Sequence, residues 1–256
     1  MYVTPKKHLG QHFLRDLTIA EDIVNGLTYH NGYKTVLEIG PGTGVLTDFL
    51  VKSEKINLVC TEIDKESIKF LKIKYPNLNL IDGDFLELKI NELFRSPIGI
   101  IGNFPYNISS QIFFKILDNK DLVAEVVCML QKEVAERMCG KPRSKEYGIL
   151  TIFTQAWYET EYLFTVSEHV FDPPPKVKSG VIRLTRKANS DIGCNEMLFR
   201  KVVKQAFSMR RKTMRNAFKG MNLPAELTQD KVFDQRAEEL SWQEFVTLTN
   251  RIYSNH

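Results

Sequence analysis

Short apolar runs alternate with amphipathic stretches along the first 186 residues of the chain. Five runs rich in Val, Ile and Leu have the length of buried strands, and they cover residues 35–40, 57–64, 78–84, 98–104 and 124–130. Between them the apolar residues recur at helical spacing, as in "KESIKFLKIKY" and "SSQIFFKILDN". Strands of this composition that alternate with helices are typical of βαβ units, so the pattern predicts a mostly parallel sheet.

The pattern changes twice toward the end of the chain. The runs "ETEYLFTVS" and "SGVIRLTRK" are joined by a Pro-rich loop rather than a helix, which predicts an antiparallel pair at the sheet edge. From about Ala188 a linker-like segment leads into residues with helical spacing only. The sequence therefore predicts an α/β, Rossmann-like domain over residues 1–187 and a small all-helical domain over residues 188–256.

Composition narrows the class of protein. The chain has 256 residues, 43% of them hydrophobic and 26% charged, as in ordinary globular proteins. Its apolar runs are shorter than the roughly 20 residues that cross a bilayer, and the first residues lack the apolar core of a secretory signal. The four cysteines have no CxxC spacing and are expected to be reduced thiols. We expect a cytoplasmic protein that binds no metal.

Charge is distributed unevenly along the chain. Residues 197–225 contain no acid and eight basic residues, so this segment carries +8. Because the whole chain carries +4, the remaining residues sum to about −4. Such asymmetry favours a polyanionic partner, although a solvated helix face is the alternative interpretation.

A glycine-rich turn follows the first predicted strand, in "EIGPGTGVLT". Glycines between a strand and a helix let the backbone approach a ligand and leave helix N–H groups unpaired. The dinucleotide-binding turn has the pattern G-x-G-x-x-G; Gly40 and Gly42 fit it, but Val45 occupies the third position and Gly44 comes one residue early. This departure weakens the pyrophosphate interpretation without eliminating it.

Polar residues end the next three strands. Glu62 ends the second strand, Asp84 the third, and Asn103 the fourth, in "GIIGNFPY". In a parallel sheet these ends share one crevice with the glycine turn, where acids can accept hydrogen bonds from ribose hydroxyls and an adenine amino group. Each acid alone could equally cap a helix. Three in succession beside a glycine turn favour a ligand site.

These motifs, taken in order, resemble those of a known family. "LGQHFL", "EIGPGTGVLT", "EID", "DGDF", "NFPY" and "FDPPPKVKSGVI" are similar to the motifs of the rRNA adenine N6-dimethyltransferases, a branch of the class I S-adenosylmethionine methyltransferases. "AFSMRRKTMRN" resembles the basic segment of the bacterial small-subunit members. The resemblance runs from about Lys7 to the end of the chain. It implies the class I methyltransferase fold and S-adenosylmethionine as cofactor.

The resemblance also implies residue roles. Glu62 would bind the ribose hydroxyls of the cofactor and Asp84 its adenine. The full set of implied cofactor residues is His12, Leu14, Gly40, Gly42, Glu62, Asp84, Phe85 and Asn103. His12 departs from the family, which usually has Asn at this position. The basic residues implied to bind RNA, on a predicted basic helix, are Arg210, Arg211, Lys212 and Arg215.

The composition of "NFPY" suits methyl transfer to an adenine amino group, a poor nucleophile whose lone pair is delocalised into the ring. Acceptors on the amino hydrogens favour the pyramidal, nucleophilic form, and Asn103 and Pro105 each offer a carbonyl oxygen. Tyr106 offers a stacking face for the base, and Phe171 is expected to offer a second. Phe171 could instead shape its loop, and Phe104 could simply pack in the core; both interpretations stay open.

Three functions remain in competition at this point. By resemblance, the protein dimethylates N6 of two adjacent adenosines near the 3′ end of small-subunit rRNA during maturation of the small ribosomal subunit, as a monomer. The second hypothesis is a large-subunit rRNA methyltransferase of the macrolide-resistance type, which shares the catalytic motifs. The third is an RNA-binding assembly factor in which catalysis is secondary or absent.

Overall fold

The computed structural model describes residues 3–209 and 211–254. Its strands are β1 (Phe13–Leu14), β2 (Thr35–Ile39), β3 (Asn57–Glu62), β4 (Asn79–Asp82), β5 (Ile98–Asn103), β6 (Val123–Gln131), β7 (Tyr158–Val166), β8 (Phe171–Asp172) and β9 (Ser179–Arg186). Its α-helices are α1 (Leu17–Asn25), α2 (Thr47–Leu50), α3 (Lys65–Lys74), α4 (Ile90–Leu93), α5 (Ser109–Asp118), α6 (Lys132–Met138), α7 (Ile149–Trp157), α8 (Glu196–Phe207), α9 (Met214–Ala217), α10 (Ala225–Thr228) and α11 (Trp242–Tyr253). Short 3-10 turns cover Lys7–Leu9, His30–Gly32, Phe85–Glu87, Glu168–Val170, Lys219–Met221, Lys231–Asp234 and Ala237–Glu239.

Seven strands form one sheet in the order β4-β3-β2-β5-β6-β9-β7. The strands from β4 to β6 are parallel, and β9 runs antiparallel to β6. The predicted α/β fold, mostly parallel with a reversed strand near one edge, is therefore confirmed. A two-stranded ribbon, which the sequence did not predict, pairs β1 with β8 and places Phe13 opposite Asp172 and Leu14 opposite Phe171.

The sequence explains why the central strands are buried on both faces. In β5 the first five residues, "IGIIG", are all buried, and only Asn103 at the end is partly exposed. An uninterrupted apolar run is what a parallel strand between two layers of helices requires. Polar residues take over at the ends of the strands. After β3, for example, α3 begins at the N-cap Asp64, whose carboxylate accepts from the N–H of Glu66.

The chain divides into two compact units. The first contains Met1–Glu136 and Glu159–Arg186, and the second contains Arg137–Tyr158 and Lys187–His256. Helix α7, which the sequence analysis assigned to the first domain, thus belongs to the second unit. The division of functions between a catalytic and an RNA-binding domain stays a prediction.

An aromatic cluster holds the second unit together. Trp157 and Phe199 meet edge to face with ring centroids 6.0 Å apart, and Phe153 packs on Phe199 at the same distance. Both phenylalanines and the tryptophan are at most 1% exposed. Such pairs add to the free energy gained by burying large side chains. The helical periodicity of this region is therefore the signature of a packed core.

The basic segment is not one continuous helix. Helix α8 ends at Phe207, and α9 begins only at Met214, so Arg211 and Lys212 lie in the turn between them. The break lets Met214, which is fully buried, enter the core of the unit. Sequence periodicity did not reveal this break because the apolar spacing continues across it. Arg210 lies outside the described residues.

Three findings concern the described part of the chain as a whole. None of its helices has the length and apolar character needed to cross a membrane. No group of three or more His, Cys, Asp or Glu side chains within residues 3–209 and 211–254 is arranged to hold a metal ion. Its four cysteines form no disulfide, and Cys60 and Cys128 are buried.

Candidate active site

A cavity of the first unit lies at the carboxyl ends of the adjacent strands β4, β3, β2 and β5. Its lining includes Gly40 after β2, Glu62 at the end of β3, Asp84 after β4, and Asn103 at the end of β5. Ligands of open parallel sheets bind at this edge, so the four predicted residues meet where the strand order requires. Residues 8–13 of the N-terminal segment form a further part of the lining.

The glycine turn leaves space on its cavity side. Gly40 has a φ of +62°, and a Cβ added there would meet no other described atom within 4 Å. Gly42 has a φ of +57°, and its Cβ would lie 2.8 Å from the Phe13 ring. The Phe13 ring thus leaves no space for a side chain at residue 42. Gly40 combines a left-handed backbone with open space, which is what close approach of a ligand to the backbone needs.

Glu62 is buried and bound to the backbone around it. Its side chain is 4% exposed. One carboxylate oxygen accepts from the N–H of Gly42, and the other accepts from the N–H groups of Ile63 and Asp64, each at 2.9 Å. Burial raises the pKa of Glu62, and these hydrogen bonds oppose the rise. The oxygen bound only to Gly42 retains a lone pair for a ligand hydroxyl.

Asp84 combines a cap with a position on the cavity. Its Oδ1 accepts from the N–H of Leu86 at 2.8 Å and so caps the turn Phe85–Glu87. Its Oδ2 accepts no hydrogen bond from the described residues. The capping interpretation is therefore true of one oxygen, while the second can accept from a ligand amino group. Phe85, 4% exposed, lies beside it in the lining.

Asn103 is oriented by the N-terminal segment. Its side-chain Nδ2 donates to the backbone carbonyl of His12 at 3.0 Å. Because that carbonyl can only accept, this bond defines which end of the amide is the donor. The Oδ1 oxygen is left without a hydrogen-bond partner among the described residues. This is the acceptor that polarisation of an amino group requires.

Pro105 and Tyr106 follow Asn103 in the lining of the cavity. The Pro105 carbonyl accepts a long hydrogen bond of 3.3 Å from the N–H of Ile108, which leaves one of its lone pairs. The Tyr106 hydroxyl lies 2.6 Å from Ser179 Oγ, and burial raises the pKa of Tyr106. Phe104 also borders the cavity, but it is 1% exposed and packs edge-on against Phe113, which supports a role in core packing.

Two predicted site residues do not line the cavity. Leu14 and Phe171 are 3% and 4% exposed, and they pair across the ribbon of β1 and β8 inside the core of the first unit. The ribbon causes this placement because it turns both side chains inward. A stacking role for Phe171 would require its ring to leave the core, so the observed position gives that prediction no support. Leu14 could reach a ligand only through its backbone.

Residues 6–13 form an N-terminal strap, most of which was not predicted from the sequence. Lys6 forms an ion pair with Asp64, and Gln11 Nε2 donates to the same carboxylate at 3.3 Å. Burial disfavours the charged form of Asp64, but the hydrogen bonds from Lys6, Gln11, the Glu66 N–H and Ser67 together outweigh it and lower its pKa. The strap is thus fixed to the start of α3. The only signal for it was the "LGQHFL" motif.

The basic residues of the second unit differ in their availability. Arg215 donates to the Asp234 carboxylate at 2.6 Å and to the Thr228 carbonyl, so its guanidinium stabilises the unit. Arg211 and Lys212 are exposed, and their side chains have no partner among the described residues. The same is true of Lys201 and Lys204 on α8 and of Lys219. We name these five residues the cationic surface.

The strand order and the cavity at the ends of β2 to β5 define a class I methyltransferase fold. The chain is similar over 95% of its length to a crystal structure of a dimethyladenosine transferase from Plasmodium falciparum, with 27% identity, 98% of that chain covered and a TM-score of 0.82. It also has the fold of the 23S rRNA methyltransferase ErmE, with 24% identity, a TM-score of 0.68, and coverage of 94% of this chain and 99% of that one.

Full-length relatives define the family more narrowly. The chain is 54% identical to the ribosomal RNA small subunit methyltransferase A of Cytophaga hutchinsonii, over 98% of both sequences. It is 53% identical to the protein of the same name from Bacteroides thetaiotaomicron, over 98% of this chain and 94% of that one. A family model described as ribosomal RNA adenine dimethylase matches residues 3–253. The chain belongs to the ribosomal RNA adenine dimethylase family.

Proposed function

We propose that this protein transfers methyl groups from S-adenosylmethionine to N6 of two adjacent adenosines near the 3′ end of small-subunit rRNA, giving N6,N6-dimethyladenosine. The observation that carries the proposal is the orientation of Asn103, whose amide N–H is bound to His12 while its carbonyl oxygen is left for an amino group. Family membership and the names of the full-length relatives support the choice of the small subunit.

The residues around the cavity fit S-adenosylmethionine. Gly40 gives the open backbone that a cofactor chain needs, Glu62 an acceptor for ribose hydroxyls, and Asp84 an acceptor for an adenine amino group. The cofactor, when bound, supplies a methyl group activated by its positively charged sulfur. Burial makes the contact with Glu62 specific, because an unsatisfied buried acceptor costs about 1–3 kcal/mol.

Asn103 and Pro105 prepare the target nitrogen. Their carbonyl oxygens accept from the two amino hydrogens in the first transfer, and one of them accepts from the single remaining hydrogen in the second, which draws the nitrogen lone pair out of conjugation with the ring. Each transfer would form one N–C bond and break the bond between the methyl carbon and the cofactor sulfur, leaving neutral S-adenosylhomocysteine, and the nitrogen would then release one proton. In this scheme the positioning of the reacting groups contributes most to catalysis, and polarisation of the amino group contributes second.

Tyr106 holds the base that carries this nitrogen. An adenine can be modified only when it has left its stack, and stacking on an aromatic ring contributes roughly 1–3 kcal/mol to holding it there. The hydrogen bond between Tyr106 and Ser179 holds the hydroxyl end of the ring in the lining of the cavity.

The cationic surface of the second unit gives affinity for RNA. Exposed lysine and arginine side chains without protein partners bind phosphates and position a hairpin without reading its sequence. Arg215 should contribute less to this role, because its guanidinium already donates to Asp234 and Thr228. Since ribosomal RNA is the substrate, we place the protein in the cytoplasm, where it acts on the maturing small subunit.

Methylation of purified ribosomal subunits tests the function directly. Small and large subunits lacking the modification are incubated with labelled S-adenosylmethionine, and the labelled nucleotides are mapped. We expect label in two adjacent adenosines of the small-subunit rRNA. Label in the large subunit would establish the second hypothesis instead. Tight binding of small subunits without label would establish an assembly factor.

A further inference from the structure

His12 touches three segments of the proposed site. Its ring Nδ1 lies 2.7 Å from the carbonyl oxygen of Pro173, and its ring stacks on Tyr106 with centroids 5.6 Å apart and planes inclined by 27°. Its own backbone carbonyl accepts the hydrogen bond from Asn103. The residue thus joins the N-terminal strap, the "NFPY" turn and the Pro-rich loop before β9.

Two of these contacts fix the orientation of the ring. A carbonyl oxygen cannot donate, so Nδ1 must carry a proton and donate to Pro173. The plane of the imidazole is then set by this hydrogen bond at its edge and by the Tyr106 ring on its face. An asparagine could make only the first of these contacts, since an amide can donate to the carbonyl but offers no aromatic face.

The consequence falls on Tyr106. Its hydroxyl is held by Ser179, and one face of its ring is covered by His12, so a single face remains for a target base. A tyrosine ring held at the hydroxyl alone can still turn about its Cβ–Cγ bond, because the hydroxyl oxygen lies on that axis. A stacked partner prevents this rotation, because aromatic pairs prefer offset-parallel arrangements and lose energy when one ring turns.

We propose that His12 is a positioning residue for methyl transfer, which holds the Tyr106 ring so that one defined face receives the adenine. The proposal rests on the proposed function and changes the role expected of His12 from its sequence motif, which was contact with the cofactor. In this role the imidazole acts on the base through Tyr106, and the cofactor contributes no part of its effect.

Three substitutions separate the two ring contacts. His12→Ala removes both, His12→Phe keeps the aromatic face and removes the donor, and His12→Asn keeps the donor and removes the face. We expect His12→Ala to lower kcat at saturating cofactor and small subunits about fivefold to tenfold, while the Kd of S-adenosylmethionine changes less than twofold. His12→Phe should recover more of kcat than His12→Asn.

A double-substitution cycle with Tyr106→Ala tests whether His12 acts through Tyr106. If it does, His12→Ala causes no further loss of kcat in the Tyr106→Ala background. A full, independent loss in that background would overturn the proposal, and so would a rise in the cofactor Kd that accounts for the loss of rate. If His12→Ala melts at a lower temperature, the comparison is made between His12→Phe and His12→Asn.

The wild-type protein in the same assay distinguishes this inference from the function on which it rests. Absence of dimethyladenosine with wild-type protein would overturn the proposed function, and the role of His12 with it. An active wild-type protein whose His12 variants all keep its kcat would overturn the role of His12 alone.

Discussion

The carboxylate of Glu62 accepts a hydrogen bond of 2.9 Å from the backbone N–H of Gly42, and so ties the end of β3 to the glycine turn that follows β2. The two residues are 20 positions apart, Glu62 at the end of β3 and Gly42 in the turn after the neighbouring parallel strand β2. The proposed ribose acceptor and the proposed cofactor turn are therefore joined by a direct hydrogen bond. A change in the protonation of Glu62 will affect both.

Replacing Glu62 by glutamine should weaken cofactor binding. The amide has one acceptor oxygen in place of two and brings a buried donor, so either the backbone bonds or the ribose contact is lost. We expect the Kd of S-adenosylmethionine, measured by calorimetry, to rise at least about tenfold at pH 8, because hydrogen bonds to charged groups contribute about 1.5–3 kcal/mol.

The pH dependence of binding provides a second measurement on Glu62. Burial raises its pKa, so the wild-type carboxylate gains a proton at a higher pH than an ordinary glutamate does. Cofactor affinity of the wild type should therefore fall as the pH is lowered, and that of Glu62→Gln should fall less. Asp82→Asn is the matched control, because Asp82 ends β4 but pairs with Lys65 outside the cavity lining. Equal losses in both variants would contradict the assignment.

Replacing Asn103 by alanine should remove catalysis and spare binding. Loss of a preorganised hydrogen-bonding group at a reacting centre typically costs a factor of about 100 to 1,000 in kcat. We expect a loss of this size in methylation of small subunits, with subunit affinity unchanged in a filter-binding assay. Asn107→Ala, which removes an amide from the same lining, should change kcat by less than about threefold. Parallel loss of subunit binding in Asn103→Ala would show that site and RNA surface are not separable.

The strands and the residues at their ends were predictable from the sequence. Strands β2 to β6 begin and end within two residues of the predicted limits, because long Val- and Ile-rich runs leave little choice of structure. Once the strands are parallel neighbours, geometry brings Gly40, Glu62, Asp84 and Asn103 to one cavity. No side-chain detail was needed for that step.

The parts that escaped prediction depend on contacts between distant residues. Strands β1 and β8 have two residues each, too few for a period, yet their pairing buries Phe171 and brings His12 to Tyr106. Asp84 was interpreted as either a cap or a ligand contact, whereas its two oxygens differ in this respect. A sequence pattern assigns one role to a residue, whereas the two oxygen atoms of one carboxylate can have different roles.

Removing Arg211 and Lys212 together should weaken RNA binding and reduce its dependence on salt. Both side chains are exposed and have no partner among the described residues, so each can neutralise one phosphate. We expect the slope of log K against log salt, measured with a small-subunit rRNA hairpin, to fall in magnitude by about 1 for each residue removed. Methyl transfer at saturating RNA should be unchanged.

The control for this pair removes equal charge from another surface. Lys69 and Lys72 are exposed lysines of α3 in the first unit. Lys69→Ala with Lys72→Ala should leave the slope as it is in the wild type. An equal change of slope in both double variants would mean that net charge, and not the surface around α8 and α9, governs binding.

Glu38 lies beneath the glycine turn and gives the protein a pH-dependent stability. It is 1% exposed and accepts hydrogen bonds from Thr47 Oγ1 at 2.7 Å and Cys60 Sγ at 3.5 Å. Burial raises its pKa from 4.5 to about 7, and these hydrogen bonds only reduce the rise. Between these two values the folded state holds a proton that the unfolded chain has lost. Glu38 therefore makes the free energy of unfolding fall as the pH rises through this window.

Replacing Glu38 by glutamine should abolish this contribution, since the amide does not titrate and its oxygen can still accept from Thr47. Relative to the wild type, we expect the urea midpoint of Glu38→Gln to increase from pH 5 to pH 7.5. The difference between the two free energies of unfolding should change by at most about 1.4 kcal/mol per pH unit. The lowered pKa of Asp64 acts in the opposite direction, but below its ordinary value of 3.8 and so outside this range. Glu92→Gln, which changes an exposed carboxylate of α4, should follow the wild-type curve. Parallel curves for Glu38→Gln and the wild type would show that Glu38 is ionised throughout the range, and that Thr47 and Cys60 stabilise the buried charge fully.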